Sequence, residues 1–351
     1  MKTQKFGIEI ELTGITRKKA ADVIAEYFGT EKFYIGTYYQ TYGAKDRKGR
    51  TWKATFDSSI IAQRKKGGRR EPASEEYKCE IVSPILEYED LEDLQEIVRQ
   101  LRHKGAFASD QCGIHIHVDA SRYTPQTLRN LVNIIASKED ILYKALQIDP
   151  ARLRWCKKTN EQLIQTINKR KPKTMEELKD IWYEGSHRRR TDHYNDTRYH
   201  GLNFHATFTK GTVEFRLFNS TTHAGEIKAY IQFCLAVSHQ ALTQKKASAR
   251  RTVTDNEKYA FRCWMLRLGL NGDEFKTARL HLLKHLDGCI AWKDPAQAEA
   301  QKERLRMKRE KELQMQEGRV PAIESETREQ EETMHVEAEA QSPAFSMMTG
   351  M

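Results

Sequence analysis

Four short stretches of the chain alternate apolar and polar residues: Phe6–Leu12 (FGIEIEL), residues 79–84 (CEIVSP), Gly113–Asp119 (GIHIHVD) and residues 212–218 (TVEFRLF). Residues two apart on a strand share a face. Ile8, Ile10 and Leu12 therefore oppose Glu9 and Glu11; Ile114, Ile116 and Val118 oppose His115 and His117; Val213, Phe215 and Leu217 oppose Glu214 and Arg216. If these strands share one sheet, one face is hydrocarbon and the other gathers carboxylates, imidazoles and a guanidinium. A solvated face of an antiparallel sheet is the ordinary reading of polar positions. Such a face usually mixes Lys, Thr, Ser and Glu, whereas these polar sets contain no Lys and pair Glu with Glu and His with His. Carboxylates packed this closely repel and titrate upward unless cations sit among them.

The remaining pattern alternates helices with further strands. Apolar residues at helical spacing predict helices from Thr16 onward, over residues 89–104 with Gly105 as cap, and over residues 124–147 with Pro125 at the first turn. Residues 159–169, 174–184, 225–244, 255–270 and 274–285 read as helices as well. Residues 33–40 and 52–56 read as strands, as does 202–208, which a turn at Lys210-Gly211 joins to 212–218. Residues 63–74 (QRKKGGRREPAS) have few apolar anchors and read as a mobile basic loop; residues 185–200 are crowded with Arg, His and Tyr. No internal repeat is visible. The implied class is α+β, with a mainly antiparallel sheet and a helical C-terminal part.

Composition adds two points. The 351-residue chain carries a net charge of +10. Its residues 299–351 hold 12 acidic and 8 basic residues, a net of −4, so the preceding body carries +14. A basic body suits anionic partners. After Asp294-Pro295 the chain turns to Ala, Gln, Glu, Lys and Arg without a wide apolar stripe, and beyond Pro321 it has little to bury; that part is expected to be disordered. The expected organisation is a catalytic domain over 1–294 and a charged low-complexity tail over 295–351, partly helical. Six widely spaced cysteines without a CxxC pair read as reduced thiols rather than a zinc ribbon or disulfide framework. No leader precedes the first strand and no apolar run spans a bilayer, so a cytoplasmic location with no membrane contact is expected.

Several carboxylates with one imidazole suit hard divalent ions, Mg²⁺ or Mn²⁺, which take one or two carboxylates each and bridge to substrate phosphates. Beside such ions Arg216 becomes a clamp for a transferring phosphoryl group. Two other readings compete. A His-x-His strand with a carboxylate can hold zinc, which would make a zinc-dependent hydrolase on His115 and His117. The basic body with RKKGGRR and HRRR could serve nucleic acid, but no helix-turn-helix or zinc-finger spacing accompanies them, and a nucleic-acid partner is not expected.

The ordered set G-x-E-x-E (residues 7–11), D-x-S (57–59), E-I-V-S-P (80–84), H-I-H-V (115–118), R-Y-x-x-L-N (198–203) and E-F-R (214–216) resembles the amidoligase family. That family belongs to the carboxylate–amine ligase superfamily with glutamine synthetase and γ-glutamylcysteine ligase. The resemblance spans roughly residues 5–290. It implies a curved antiparallel sheet of the glutamine synthetase-like catalytic type, with helices on the convex face and ATP and Mg²⁺ on the concave one. It implies that ATP phosphorylates a carboxylate and that an amine displaces phosphate from the acyl phosphate to form an amide. Glu9, Glu11, Glu80, Glu214 and His117 would be metal ligands, and His115, Asn203 and Arg216 nucleotide contacts. Arg216 and Arg198 would clamp phosphate, and Asp57 would orient or deprotonate the amine. Partners would be small-molecule or peptide carboxylates and amines. The basic stretch 64–70 and the segment 188–198 are candidate lids that would shield an acyl phosphate from water.

Overall fold

A computed structural model describes residues 1–317. Ten strands and ten α-helices follow in chain order. The strands are β1 (Phe6–Leu12), β2 (Lys32–Gly36), β3 (Thr41–Lys45), β4 (Thr51–Thr55), β5 (Gln63–Lys66), β6 (Arg69–Pro72), β7 (Cys79–Val82), β8 (Gly113–Asp119), β9 (Leu202–Asn203) and β10 (Thr212–Asn219). The helices are α1 (Arg17–Phe28), α2 (Leu91–His103), α3 (Pro125–Leu146), α4 (Glu161–Arg170), α5 (Met175–Trp182), α6 (His205–Lys210), α7 (Ala224–Thr243), α8 (Glu257–Arg267), α9 (Lys276–Leu283) and α10 (Pro295–Glu317).

Eight strands form one sheet in the order β2-β3-β4-β7-β1-β8-β10-β9, and every neighbouring pair is antiparallel. The four alternating stretches thus lie side by side at its centre. Ile8, Ile10, Leu12, Ile81, Ile114, Ile116, Val118, Val213 and Phe215 are buried on one face. Helices α1, α3 and α7 pack against the sheet, with α2 and α9 laid on α7. Each such side chain stabilises by about 1.5–3 kcal/mol on leaving water. The opposite face is left for the charged residues. The fold is α+β with a mainly antiparallel sheet, as the periodicity implied.

Local signals set the helix ends. Thr16 and Thr124 accept from backbone N–H groups of the first turns of α1 and α3, and Pro125 opens α3 where no N–H is needed. The expected strand over residues 33–40 stops at Gly36, because Gly36, Thr37 and Gln40 all take positive φ and turn the chain into β3, which the periodicity missed. The expected strand over residues 202–208 lasts two residues. Asn203 Oδ1 accepts the His205 N–H at 2.8 Å, and residues 205–210 close into α6, ended by left-handed Gly211. The expected mobile loop at 63–74 is a β5–β6 hairpin. Gly67 (φ +56°) and Gly68 (φ +81°) supply the two positive φ angles that a two-residue hairpin turn demands.

Residues Met1–Ile290 form one compact unit and Ala291–Met351 a second. Within the second, α10 carries exposed pairs such as Arg306–Glu303 and Lys308–Glu312, the spacing that supports a solvated helix. The disorder expected beyond Pro321 lies outside the described residues. No helix among the described residues is long and apolar enough to cross a membrane.

Gly14 and Gly29 separate backbone strain from close packing. Both have positive φ, but a Cβ on Gly14 would sit 2.4 Å from Gly105 O and the Phe107 ring, whereas one on Gly29 meets nothing. Gly29→Ala is expected to lower unfolding free energy by about 1 kcal/mol and Gly14→Ala by about 3 kcal/mol or more. Urea unfolding checks this; equal losses would contradict it.

Candidate active site

Register aligns the charged residues into three short rows. Glu11 stands opposite Glu80 across β1 and β7, and Glu9 opposite His115 across β1 and β8. Glu214 stands opposite His117 across β10 and β8, with Asn203 on its other side. Arg216 shares the Glu214 face by alternation, and a bulge in β10 between Phe215 and Phe218 shifts the register so that Phe218 pairs with Ile114 and is buried. Gly113, at the start of β8, donates its N–H to Glu11 Oε2 at 2.6 Å.

The resulting contacts are tight. His115 Nδ1 lies 3.0 Å from Glu9 Oε2, and its Nε2 lies 3.6 Å from Glu11 Oε1. His117 Nε2 lies 3.3 Å from Glu9 and 3.8 Å from Glu214, yet makes no hydrogen bond there, while its Nδ1 pairs with Thr212 Oγ1 at 2.9 Å. Arg216 donates to Glu214 Oε1, and Asn203 donates to Glu214 Oε2 at 2.6 Å. Both ends of the Asn203 amide are thereby engaged, so this residue, expected at the nucleotide, holds Glu214. Three donor groups converge: Glu9, His117 and Glu214; Glu9, Glu80 and His115; Glu11, Asp57 and Glu80. Each keeps its ligand atoms within 4.8 Å of one another. Among the described residues no such group contains both imidazoles, which the zinc reading requires.

The electrostatics follow from burial and charge. Burial pushes Glu80 well above the ordinary carboxylate range, and the charges of Glu9, Asp57 and Glu11 push it further. Burial and Asp57 raise Glu11 to about 7. Burial opposes ionisation of Glu9 and Glu214 more than any single neighbour favours it, but His117 and His115 together outweigh it at the first, and Arg216 with both imidazoles at the second, holding both low. His115 falls to about 4 through burial and Arg216; His117 rises because Glu9 and Glu214 outweigh its burial. Glu80 and Glu11 are thus the carboxyls at which burial and neighbouring carboxylates outweigh the nearby cations, Lys210 at the first and Arg152 and Arg216 at the second.

Glu214 and Asn203 line a small cavity of about 190 Å³, while Glu9, Glu11, Glu80, His115 and Arg216 line a cleft of about 640 Å³. Asp57 lines it, with Oδ1 engaged by the N–H (2.7 Å) and hydroxyl (2.5 Å) of Ser59. Arg198 lines it with His193 and Tyr194, its guanidinium over the Tyr194 and Tyr199 rings. The segment 188–198 therefore reaches the cleft, while residues 64–70 do not line it. Sequence reasoning missed Arg152, Trp155, Lys210, Gln111 and the tyrosines Tyr38 and Tyr39. Arg152 is buried and donates to Arg216 O at 3.0 Å and Asn219 Oδ1 at 3.3 Å, clasping the bulged end of β10. None of these sits on an alternating strand; the Tyr38-Tyr39 pair beside a glycine was the one visible signal.

The raised carboxyls carry a pH signature. A carboxyl that is protonated in the fold and ionised when unfolded stabilises the fold at low pH, and that contribution is lost as pH rises toward the folded pKa. Glu80, Glu11 and His117 all act this way above pH 6.5, where the opposing effect of His115 is already flat. In the absence of divalent ions, stability should fall between about pH 6.5 and 8 with a slope on the order of 1 kcal/mol per pH unit, and Glu80→Gln should flatten it. Thermal melts in chelator read this; a level or rising profile would contradict the assignment.

Comparison with curated proteins finds no match for the chain. A family model described as "putative amidoligase enzyme" matches residues 2–238, which include β1 through β10 and every residue of the three donor groups. The chain therefore belongs to the amidoligase family.

Proposed function

We propose that the protein is an ATP- and Mg²⁺-dependent carboxylate–amine ligase of the cytoplasm that forms an amide through an acyl phosphate, on a glutamine synthetase-like sheet. The catalytic part is residues 1–294 and the charged remainder is accessory. The observation that carries this reading is the overlap of three oxygen-rich donor groups on one buried face, at two of whose carboxyls burial and like charge outweigh the nearby cations. A buried His117 Nε2 without a hydrogen bond, aimed between Glu9 and Glu214, fits a ligand awaiting its metal.

In this reading Glu9, Glu214 and His117 hold one ion, and Glu80, Glu11 and Glu9 hold others, with Mn²⁺ as a substitute. Bound Mg²⁺ supplies charge neutralisation for transferring phosphate. The chain's own residues do the rest. Arg216 and Arg198 present guanidinium N–H groups into the cleft, where a phosphoryl group would accept them. Their Nε atoms, buried and unpartnered, suit that role. His115, kept neutral by burial, can donate or accept one hydrogen bond toward a nucleotide or substrate. Asn203 and Arg152 position Glu214 and Arg216. Asp57 keeps Oδ2 free while Ser59 fixes Oδ1, so it can take a proton from an incoming ammonium. Tyr38, Tyr39, Trp155 and Tyr194 wall the cleft and limit water.

The direct experiment is incubation with ATP, Mg²⁺ and pooled amino acids and peptides, followed by mass spectrometry for condensation products, with hydroxylamine present to trap an activated acyl group. Glu9→Ala and Glu214→Ala are expected to cut amine-dependent ADP release by about 100-fold or more. Near-native circular dichroism would separate that loss from unfolding. Full turnover in both variants would refute the assignment.

Metal binding gives an activity-free check. Ligating carboxyls and imidazole must shed their protons, so Mg²⁺ titrated into chelator-treated protein at pH 7 should release about one proton or more, and less in Glu80→Gln. Calorimetry in buffers of different ionisation enthalpy measures it. Zinc held stoichiometrically with no nucleotide binding would instead support the hydrolase reading.

A further inference from the structure

The β5–β6 hairpin is the most concentrated charge on the described surface that the proposed chemistry does not use. Its ten residues, 63–72, carry Arg64, Lys65, Lys66, Arg69 and Arg70 against Glu71, a net of +4. Arg64 pairs with Glu71 at 2.6 Å; among the described residues the other four make no ion pair.

Its two faces differ. Cross-strand partners share a face, so Lys65 and Arg70 lie together on one side, while Arg64, Glu71, Lys66 and Arg69 lie on the other. The first pair is spent internally: Lys65 Nζ sits 5.3 Å and Arg70 Cζ 4.7 Å from the centre of the Phe107 ring. The base is tied down too, by Gly14 N–H donating to Gln63 O and by Thr13 Oγ1, which both donates to and accepts from the Gln63 backbone. The hairpin is thus a braced ribbon with its Lys66–Arg69 side turned to solvent. Thr13 lies two residues beyond Glu11 and Gln63 four beyond Ser59, so the base of the ribbon is joined by short segments to residues that line the cleft.

We propose that this ribbon is a docking strand for an acidic polypeptide, which it holds beside the cleft. Three observations favour a polypeptide over a nucleic acid. Among the described residues, the backbone groups of residues 64–70 make no hydrogen bond outside their own ladder, leaving an edge that an added peptide strand can complete. The ribbon exposes no aromatic ring for a base to stack on, since Phe107 is buried beneath Lys65 and Arg70. Carboxylate side chains spaced along an extended peptide match cations presented two residues apart. That the docked chain also supplies the reacting carboxylate rests on the ligase reading; the docking does not.

The test is fluorescence anisotropy with the full-length protein and a labelled poly-glutamate peptide of about 20 residues, beside a single-stranded oligodeoxynucleotide of equal length. No ATP is added, so failure of the ligase reading leaves the measurement intact. Lys66→Glu with Arg69→Glu is the variant, because both side chains are exposed and touch neither Phe107 nor the cleft. Expected are peptide binding that weakens with salt, a loss of about tenfold or more in the variant, and an unchanged melting temperature and Mg²⁺ affinity. Equal peptide affinity in the two proteins would overturn the proposal. So would hairpin-dependent binding of the oligonucleotide tighter than that of the peptide.

Discussion

Like charges a few ångströms apart in a buried place cannot all stay ionised, and the central sheet is built around that conflict. Antiparallel register puts Glu11 opposite Glu80 and gathers Glu9 and Glu214 around His117. Arg216 and the imidazoles outweigh burial at Glu214 and Glu9, whereas Lys210 is too weak to do so at Glu80. The deficit is met by protons or by metal, and this choice makes the face chemically poised rather than merely polar.

The rest of the fold keeps that face rigid. Its reverse is a continuous hydrocarbon layer under α1, α3 and α7, so no strand can rotate a residue without exposing Ile or Val to water. Neighbouring groups hold the charged side chains in place. Ser59 pins Asp57, Asn203 pins Glu214, and Arg152 pins the bulged end of β10 through the Arg216 carbonyl. A Cβ on Gly113 would fall 2.4 Å from Arg152 Nη2, which explains a glycine where β8 begins. Membership of the amidoligase family points to a ligase-type enzyme.

Where sequence reasoning failed, it failed for identifiable reasons. Residues 63–74 lack apolar anchors, so a hydrophobic pattern cannot find the hairpin; it is held instead by two positive-φ glycines and by cations over Phe107, a residue more than thirty positions away. Leu202, Phe204, Ala206 and Phe208 alternate like a strand, but the Asn203 side chain captures the His205 N–H and starts a helix. At residues 33–40 a β-branched threonine at φ +70° gave no warning of a turn. Of the cleft walls, the segment 188–198 with Tyr194 was singled out by its composition, but Arg152 and Trp155 come from a short stretch with no periodicity to read.

Alternation at period two by itself determined which side chains share a face, and therefore that Glu9, Glu11, Glu80, His115, His117, Glu214 and Arg216 oppose the core. It could do so because the strand period is a local property of the backbone. Which carboxylate meets which imidazole, how seven carboxyl and imidazole residues sort into three donor groups, and which carboxyls keep their protons were decided only in the tertiary structure. Register, the β10 bulge and the depth of burial are long-range outcomes, and electrostatic energy depends on those distances rather than on the order of residues along the chain.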